Sequence, residues 1–258
     1  MKASARLVAE ARPGGGTRLT TLVSQAPLLF RQTGAEGASA DAAQVHLVGG
    51  AAGPLGGDDL RLSVHVAAHA RLHVGSIAAS IALPGRTPGE STLEISVRMD
   101  EGAMLIWNPQ PLIAAQGAVH RTTVRVLMAD DAHLVWHEQA ILGRHGEHPG
   151  SVVTRLRVLR PEGVLLDHAI ATGPAHPGSL GPAVAATHRA SATTVIVDPA
   201  WRDVPPGERL TVTARDDAHG SLAVLPLDGP AVVIAALALD GLALDRLLGG
   251  AAPVVLGR

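Results

Sequence analysis

Apolar and polar residues alternate along four similar stretches of the chain, residues 62–74, 95–107, 124–136 and 156–168. Each stretch has an alternating run, a short turn of small or acidic residues, and a second alternating run. Alternation with period two is typical of half-buried β-strands, and a tight turn between two such runs predicts a β-hairpin. A leucine follows each turn at intervals of 33, 29 and 32 residues, at Leu72, Leu105, Leu134 and Leu166. The pattern therefore predicts four β-units that repeat.

A repeat of this length favours stacked hairpins, in which each unit buries its apolar face against the next unit. The same alternation is also typical of an antiparallel sandwich whose hairpins resemble one another. The predicted fold class is all-β, with stacked β-hairpins in a solenoid-like or irregular β-sandwich arrangement and one or two short helices in the C-terminal third. Residues 1–258 are expected to form a single domain, because no shift in composition divides the chain.

Shorter patterns predict the elements on either side of the repeats. Alternating runs bounded by Gly, Pro or Ser predict further strands at residues 5–9, 18–23, 28–31, 192–197, 209–214, 222–227 and 231–236. Residues 34–43 are predicted to be a loop. A short helix is predicted at residues 182–190, with a proline in its first turn. A terminal helix is predicted at residues 242–248, closed by Gly249 and Gly250.

Composition excludes several classes of function. The net charge of -2 provides no basic surface for a phosphate backbone, so nucleic acid is not an expected partner. Lys2 is the only lysine, which excludes a GxxxxGK phosphate-binding loop and a lysine Schiff base. The chain has no cysteine and therefore no disulfide, thiolate metal site or cysteine nucleophile. We expect a cytoplasmic protein, because residues 1–10 lack the apolar core of a signal peptide.

The longest apolar run, residues 231–239, is followed by Asp240 and is too short to cross a bilayer. No membrane association is therefore expected. Enzyme motifs are also missing from the sequence: it has no GxSxG and no GxGxxG, and residues 137–141 fail the HExxH pattern because position 141 is Ile.

Three polar segments interrupt the strands. The first contains Gly56, Gly57 and Asp58, and a structural role in a turn is the simplest reading of it. The second contains Trp107, Pro109 and Gln110, and the third runs from Trp136 through Glu138 to Gly143, Arg144, Gly146 and Glu147. Trp107 and Trp136 occupy matching repeat positions, which places two of the three tryptophans on neighbouring units. Such residues are typical both of a core and of an interface.

Thirteen histidines raise the question of metal binding. His137 lies beside Glu138, and His145 lies near Glu147. Imidazole and carboxylate suit nickel, zinc or copper, and without thiolate they exchange the ion readily. Most histidines in a protein are nevertheless surface residues rather than ligands. From the residues alone, the chain is a β-protein with an unusual cluster of loops.

Taken in order, these loops resemble a known family. The motifs are residues 46–58, residues 107–110, and residues 136–138 with Gly143-Arg144 and Gly146-Glu147, preceded by the Ala26-Pro27 step. Over residues 18–170 their order and spacing are similar to those of the urease accessory protein UreD, called UreH in some bacteria. The Ala- and Arg-rich, Lys-poor composition resembles the actinobacterial branch of that family.

The resemblance implies a scaffold or chaperone without catalytic activity. Proteins of this family bind urease apoprotein and recruit UreF and the GTPase UreG, so that nickel reaches the carbamylated lysine of urease. The resemblance also implies a β-solenoid body that docks UreF and passes nickel through an internal channel. No cofactor is expected to be tightly bound, and nickel binding is expected to be transient.

We assign the loop residues accordingly. The partner-binding or structural motif comprises Gly56, Gly57, Asp58, Trp107, Pro109, Gln110, Trp136, Gly143, Arg144 and Gly146. The candidates for transient nickel contact are Glu138, Glu147, His137 and His145. Glu138 is the first choice, because it follows Trp136 on a strand and is predicted to point inward.

Two other functions compete with this hypothesis. A metal-dependent hydrolase or dioxygenase would use clustered histidines with a carboxylate and would retain its metal tightly. A purely structural β-repeat protein would bind partners without any metal.

Overall fold

The computed structural model describes residues 1–34, 41–86, 89–205, 208–209, 215–217 and 219–249. The strands are β1 (Lys2–Ala11), β2 (Thr17–Val23), β3 (Leu28–Thr33), β4 (Ala43–Gly49), β5 (Asp59–Val66), β6 (Arg71–Ser76), β7 (Ser80–Ala82), β8 (Ser91–Met99), β9 (Met104–Asn108), β10 (Leu112–Ala114), β11 (Val119–Met128), β12 (His133–Leu142), β13 (Ser151–Arg160), β14 (Gly163–Thr172), β15 (Ala190–Val197), β16 (Arg215–Asp217), β17 (Gly220–Pro226) and β18 (Ala231–Ala238). A 3₁₀ turn at Pro199–Trp201 and the helix α1 (Gly241–Gly249) complete the described elements.

The strands form two sheets that face each other. Sheet A has the order β14-β13-β11-β8-β5-β1-β2, and sheet B has the order β16-β17-β18-β15-β12-β9-β6-β4-β3. The central strands of each sheet run parallel, so that each repeat unit adds one strand to sheet A and one to sheet B. The short strands β7 and β10 extend sheet B beside the end of β12. The predicted all-β, solenoid-like class is therefore confirmed.

Three of the four repeat units are arches rather than hairpins. β5, β8 and β11 lie in sheet A, whereas the strands that follow them, β6, β9 and β12, lie in sheet B. The chain crosses between the sheets at tight turns in residues 67–70, 100–103 and 129–132. The predicted hairpin pairing within these units is therefore wrong, although the predicted stacking of successive units is correct. Only the fourth unit, β13 with β14, pairs as an antiparallel hairpin.

The turn residues account for this difference. Each arch ends its turn in an alanine that is 0% exposed, namely Ala70, Ala103 and Ala132. The residue at the same repeat position in the fourth unit is Val164, which is 51% exposed. In the arches this position is enclosed between the two sheets, whereas in the hairpin it lies at the exposed end of one sheet.

Rows of identical or similar side chains cross the two sheets. In sheet B, Leu72, Leu105 and Leu134 are paired in register and completely buried. In sheet A, valines 64, 97, 126 and 158 form the facing row, also in register and buried. These rows form the main core between the sheets. Burial of such aliphatic rows provides most of the stabilisation, about 1.5–3 kcal/mol for each side chain.

The C-terminal third forms a second, smaller core. β15, β17 and β18 are antiparallel and carry α1 on their outer side, where Leu244 and Leu247 are buried. The terminal helix is thus confirmed. Residues 182–187 form turns instead of the predicted helix, because Ala186 has a φ of 49° and the backbone hydrogen bonds there span three, five or six residues rather than four. Most of the strand predicted at 209–214, part of the 34–43 loop and Gly250 lie outside the described residues.

Candidate functional site

The two sheets enclose a cavity of about 560 Å³ at the end opposite the arch turns. The wall is formed by inward-facing residues from the N-terminal parts of β5, β8, β11 and β13 in sheet A and from the C-terminal parts of β4, β9 and β12 in sheet B. The wall includes Leu60, Leu62, Leu93, Ile95, His120, Thr122 and Thr154 from sheet A, and Leu47, Trp107 and Glu138 from sheet B. Further along the same strands the inward positions belong to the packed core. The cavity is therefore continuous with the core and mostly apolar.

Trp107 and Trp136 stack face to face behind the cavity. Their ring centroids are 4.7 Å apart and their planes differ by 2°. Because β9 and β12 are parallel neighbours with these two residues in register, the repeat places the rings side by side, as predicted. Trp107 lines the cavity, whereas Trp136 is completely buried.

Glu138 is the carboxylate of the cavity wall. It lies two residues after Trp136 on β12 and therefore on the same face of sheet B. The Trp136 indole Nε1–H donates to Glu138 Oε1 at 2.5 Å. Burial raises the pKa of Glu138, and the indole hydrogen bond opposes this shift only in part. Among the described residues, the cavity wall thus contains one partly buried carboxyl group, which is more easily protonated than an exposed one.

Polar side chains also occur on the opposite wall. His120 is 1% exposed; its Nδ1 is 2.8 Å from Ser91 Oγ and its Nε2 is 3.1 Å from Thr122 Oγ1. Burial lowers the pKa of His120 to about 4, against a weaker opposing effect of the Glu90 charge. The imidazole is therefore neutral at physiological pH.

The first two predicted loops surround the cavity mouth. Gly53 and Pro54 line it from one side, and Pro109 and Gln110 line it from the other. The backbone N–H of Gln110 donates to Ser76 Oγ at 2.8 Å. This hydrogen bond joins the second loop to the end of β6. These segments converge on one end of the molecule, as the stacking of the units predicts.

Asp58 has a structural role in the first loop. It is 3% exposed, and its Oδ2 accepts the Leu55 amide at 2.9 Å, while Oδ1 contacts the amino group of Met1. At Gly56 an added Cβ would lie 2.7 Å from the Gly85 amide nitrogen, so that only glycine fits. Gly57 has a φ of 88°, which also favours glycine.

The third loop lies beside the cavity without lining it. Arg144 and Glu147 form an ion pair within the loop, and the Arg144 hydrogen bonds hold the pKa of Glu147 at about 2. Gly143 and Gly146 have φ of 84° and 75°, and the Gly143 amide donates to Ala114 O. His145 is exposed.

The four candidate nickel contacts do not form one ligand set. His137 and Glu138 are consecutive on β12 and project from opposite faces of sheet B. His137 Nδ1 is 2.7 Å from Thr194 Oγ1, and burial lowers the pKa of His137 to about 4. Across the described ranges, no three His, Asp or Glu side chains are close enough to hold a metal ion together. Of the four candidates, only Glu138 faces the cavity.

Comparison with known proteins places these features in a family. The family model described as UreD urease accessory protein matches residues 1–255. The chain belongs to the UreD family.

Its relatives in this family include proteins of several actinobacteria. The urease accessory protein UreD of Streptomyces coelicolor is 41% identical over 253 residues, covering 97% of this chain and 95% of the relative. UreD of Parafrankia sp. is 40% identical over 280 residues, covering 100% and 90%. UreD 2 of Saccharopolyspora erythraea is 39% identical over 246 residues, covering 95% and 85%. The resemblance therefore extends beyond residues 18–170 and includes the C-terminal third.

Sequence reasoning missed the polar wall of sheet A. The apolar residues of β11 are Val124, Val126 and Met128, and the same parity places His120 and Thr122 on the inward face. Two polar residues at inward positions of a strand are an available signal for a cavity or a site.

Across the described part of the chain, none of the helices is long and apolar enough to cross a membrane.

Proposed function

We propose that this protein is a non-catalytic, cytoplasmic scaffold for urease maturation. It binds urease apoprotein together with UreF and UreG and assists the insertion of nickel into the urease active site. The observation that carries the proposal is the match to the UreD family over residues 1–255, together with relatives that are named urease accessory proteins.

The cavity supports a role in handling nickel as cargo. Nickel accepts carboxylate oxygen and imidazole nitrogen as ligands, and a single carboxylate such as Glu138 binds it weakly enough to release it. A tight site would require several ligands in fixed geometry, which retains the ion. A mostly apolar wall that carries the Glu138 carboxyl group is therefore suited to passing an ion onward.

The loops at the cavity mouth support a role in docking. Gly53, Pro54, Pro109 and Gln110 lie around the opening, and nearby Ile77 is 65% exposed. A partner that covers this end would join its own surface to the cavity. We propose that this end meets a protein of the activation complex.

The test is affinity purification of the full chain from a urease-positive host, with nickel measured in the eluate. The proposal expects urease subunits and UreF to co-purify and expects Glu138→Ala to lower the nickel content and activity of urease. Unchanged urease activation with Glu138→Ala would remove this residue from the nickel route. Absence of urease subunits from the eluate, together with a stoichiometric metal in the purified chain, would instead favour a metal-dependent enzyme.

A further inference from the structure

We propose that Trp136 is a positioning residue that holds the Glu138 carboxyl group in one orientation toward the cavity. This inference rests on the proposed function, because the orientation matters only if Glu138 meets the nickel ion. Trp136 itself is completely buried and is not part of the cavity wall. Any effect of its indole nitrogen on the cargo must therefore pass through Glu138.

The indole is held rigidly. Trp136 stacks on Trp107 with ring centroids 4.7 Å apart, and it pairs in register with Val195 on its other side. A buried aromatic ring between two strand neighbours keeps one rotamer, and the direction of its N–H is fixed with it. That N–H donates to Glu138 Oε1 at 2.5 Å.

Other restraints on Glu138 are few. β9 ends at Asn108, one residue after Trp107, so that no residue of β9 lies beside Glu138. On its other side Glu138 pairs with Thr193 of β15. Among the described residues, the hydrogen bond from Trp136 is the side-chain contact that affects the Glu138 carboxyl group, and Oε2 has no donor. The indole thus binds one carboxyl oxygen and leaves the other available to the cavity.

This arrangement gives the indole nitrogen a role distinct from packing. A phenylalanine at position 136 would keep an aromatic ring on Trp107 but would donate no hydrogen bond to Glu138. The carboxyl group would then rotate about its own side-chain bonds, because a glutamate has several rotamers of similar energy. A carboxylate that samples many orientations spends less time where the ion can reach it.

The first experiment tests the contact without nickel or urease. The full chain is labelled with ¹⁵N, and the indole N–H resonances of Trp107, Trp136 and Trp201 are compared with those of Glu138→Leu. We expect the Trp136 resonance to move upfield in the proton dimension, because a hydrogen bond to a carboxyl group is lost. Trp201 lies in the 3₁₀ turn and serves as the internal reference. An unmoved Trp136 resonance would overturn the proposal.

The second experiment tests the effect on the cargo. Trp136→Phe, Glu138→Leu and the double variant are each produced together with urease and its accessory proteins, and urease activity and nickel per urease active site are measured. We expect Trp136→Phe to lower both by about tenfold, since a hydrogen bond to a charged group is lost. The matched control is Trp201→Phe, which removes an indole remote from the cavity and is expected to leave both unchanged.

The double variant separates positioning from packing. If Trp136 acts through Glu138, Trp136→Phe adds no further loss once Glu138 is Leu. Additive losses would show a structural role for Trp136 and would overturn the proposal, as would full activation by Trp136→Phe. If Glu138→Leu itself activates urease normally, the nickel route of the proposed function fails, and the NMR result still decides whether the contact exists.

Discussion

The same two sheets are packed solidly at one end and hold a cavity at the other. Near the arch turns, the inward rows are aliphatic in both sheets, and Leu105 belongs to the same core as the valines of sheet A. At the other end the inward row of sheet A runs from Leu60 and Leu93 to Thr122 and Thr154, and Glu138 faces it from sheet B. The cavity thus coincides with the part of the two sheets where polar side chains interrupt the aliphatic rows.

The two ends also differ in the kind of contact that holds them together. At the closed end each arch turn brings two strands together, and the side chains there have little room. At the open end the loops contact one another mainly through backbone hydrogen bonds and glycines.

Truncation of a leucine in the closed end is expected to have the largest effect. Leu105→Ala removes a completely buried side chain and is expected to lower the free energy of unfolding by about 3 kcal/mol. Leu166→Ala, at the same repeat position in the hairpin, is the matched control and is expected to cost about 1 kcal/mol, because Leu166 is only partly buried. Urea denaturation followed by circular dichroism measures both values. Equal losses would contradict the difference between arch and hairpin.

Enlargement of an arch turn is the second test. Ala103→Val is expected to lower the free energy of unfolding by about 1–3 kcal/mol, because the alanine is 0% exposed and the turn has no room for two methyl groups. The reverse change in the hairpin, Val164→Ala, is expected to have an effect within about 0.5 kcal/mol. The same denaturation curves report the result. A tolerated Ala103→Val variant would show that the arch turn does not depend on a small side chain.

Acidification is expected to weaken the open end through His120. Its pKa is 6.5 in the unfolded chain and about 4 in the folded protein, so that the unfolded state binds more protons between these values. The stabilisation is present above pH 6.5 and is lost as the pH falls toward 4. From pH 7 to pH 5 this single residue is expected to lower the free energy of unfolding by about 2 kcal/mol.

Variants at two histidines check this assignment. Between pH 7 and pH 5, the free energy of unfolding of His120→Asn is expected to fall by about 2 kcal/mol less than that of the unmodified protein. His145→Gln, which changes an exposed histidine of the third loop, is expected to keep the original pH dependence. If His120→Asn shows the same pH dependence as the unmodified protein, another group accounts for the loss of stability on acidification.

The smallest effect is expected in the third loop. Arg144→Ala removes an exposed ion pair that lies outside the cavity, and it is expected to leave the denaturation midpoint unchanged. The same change is expected to raise the pKa of Glu147 from about 2 toward its ordinary value, since the hydrogen bonds from the Arg144 side chain are lost. A ¹³C NMR titration of the Glu147 carboxyl group measures this shift. A large drop in the midpoint would show that the loop supports the fold.

The strands and their repeat were predictable, because they depend on residues that are close together in the sequence. Alternation identified the strands of all four repeats, and the spacing of Leu72, Leu105 and Leu134 identified units that stack in register. The hairpin prediction failed for three units, because a strand that hides one face alternates in the same way whether its partner lies beside it or in the opposite sheet. The sequence indicates the difference between arch and hairpin only at the last turn position, which is alanine in the three arches and Val164 in the hairpin.

The candidate site was predictable in part. The matching repeat positions of Trp107 and Trp136 placed these rings together, and the direction of Glu138 followed from its distance of two residues from Trp136. His137 was grouped with Glu138 because the two are adjacent in sequence, and strand geometry separates them. His120 was missed because it lies on another strand and reaches the cavity only through the facing of the two sheets.

Residues close together in the sequence were therefore sufficient for the class of fold, the repeat and the order of the loop motifs that resemble the UreD family. The pairing of strands across the two sheets, the cavity between them and the separation of Glu138 from the other candidate ligands depended on the folded chain. These features arise from contacts between residues about 30 positions apart or more. A period-two pattern shows which face of a strand is buried but not which distant strand it contacts.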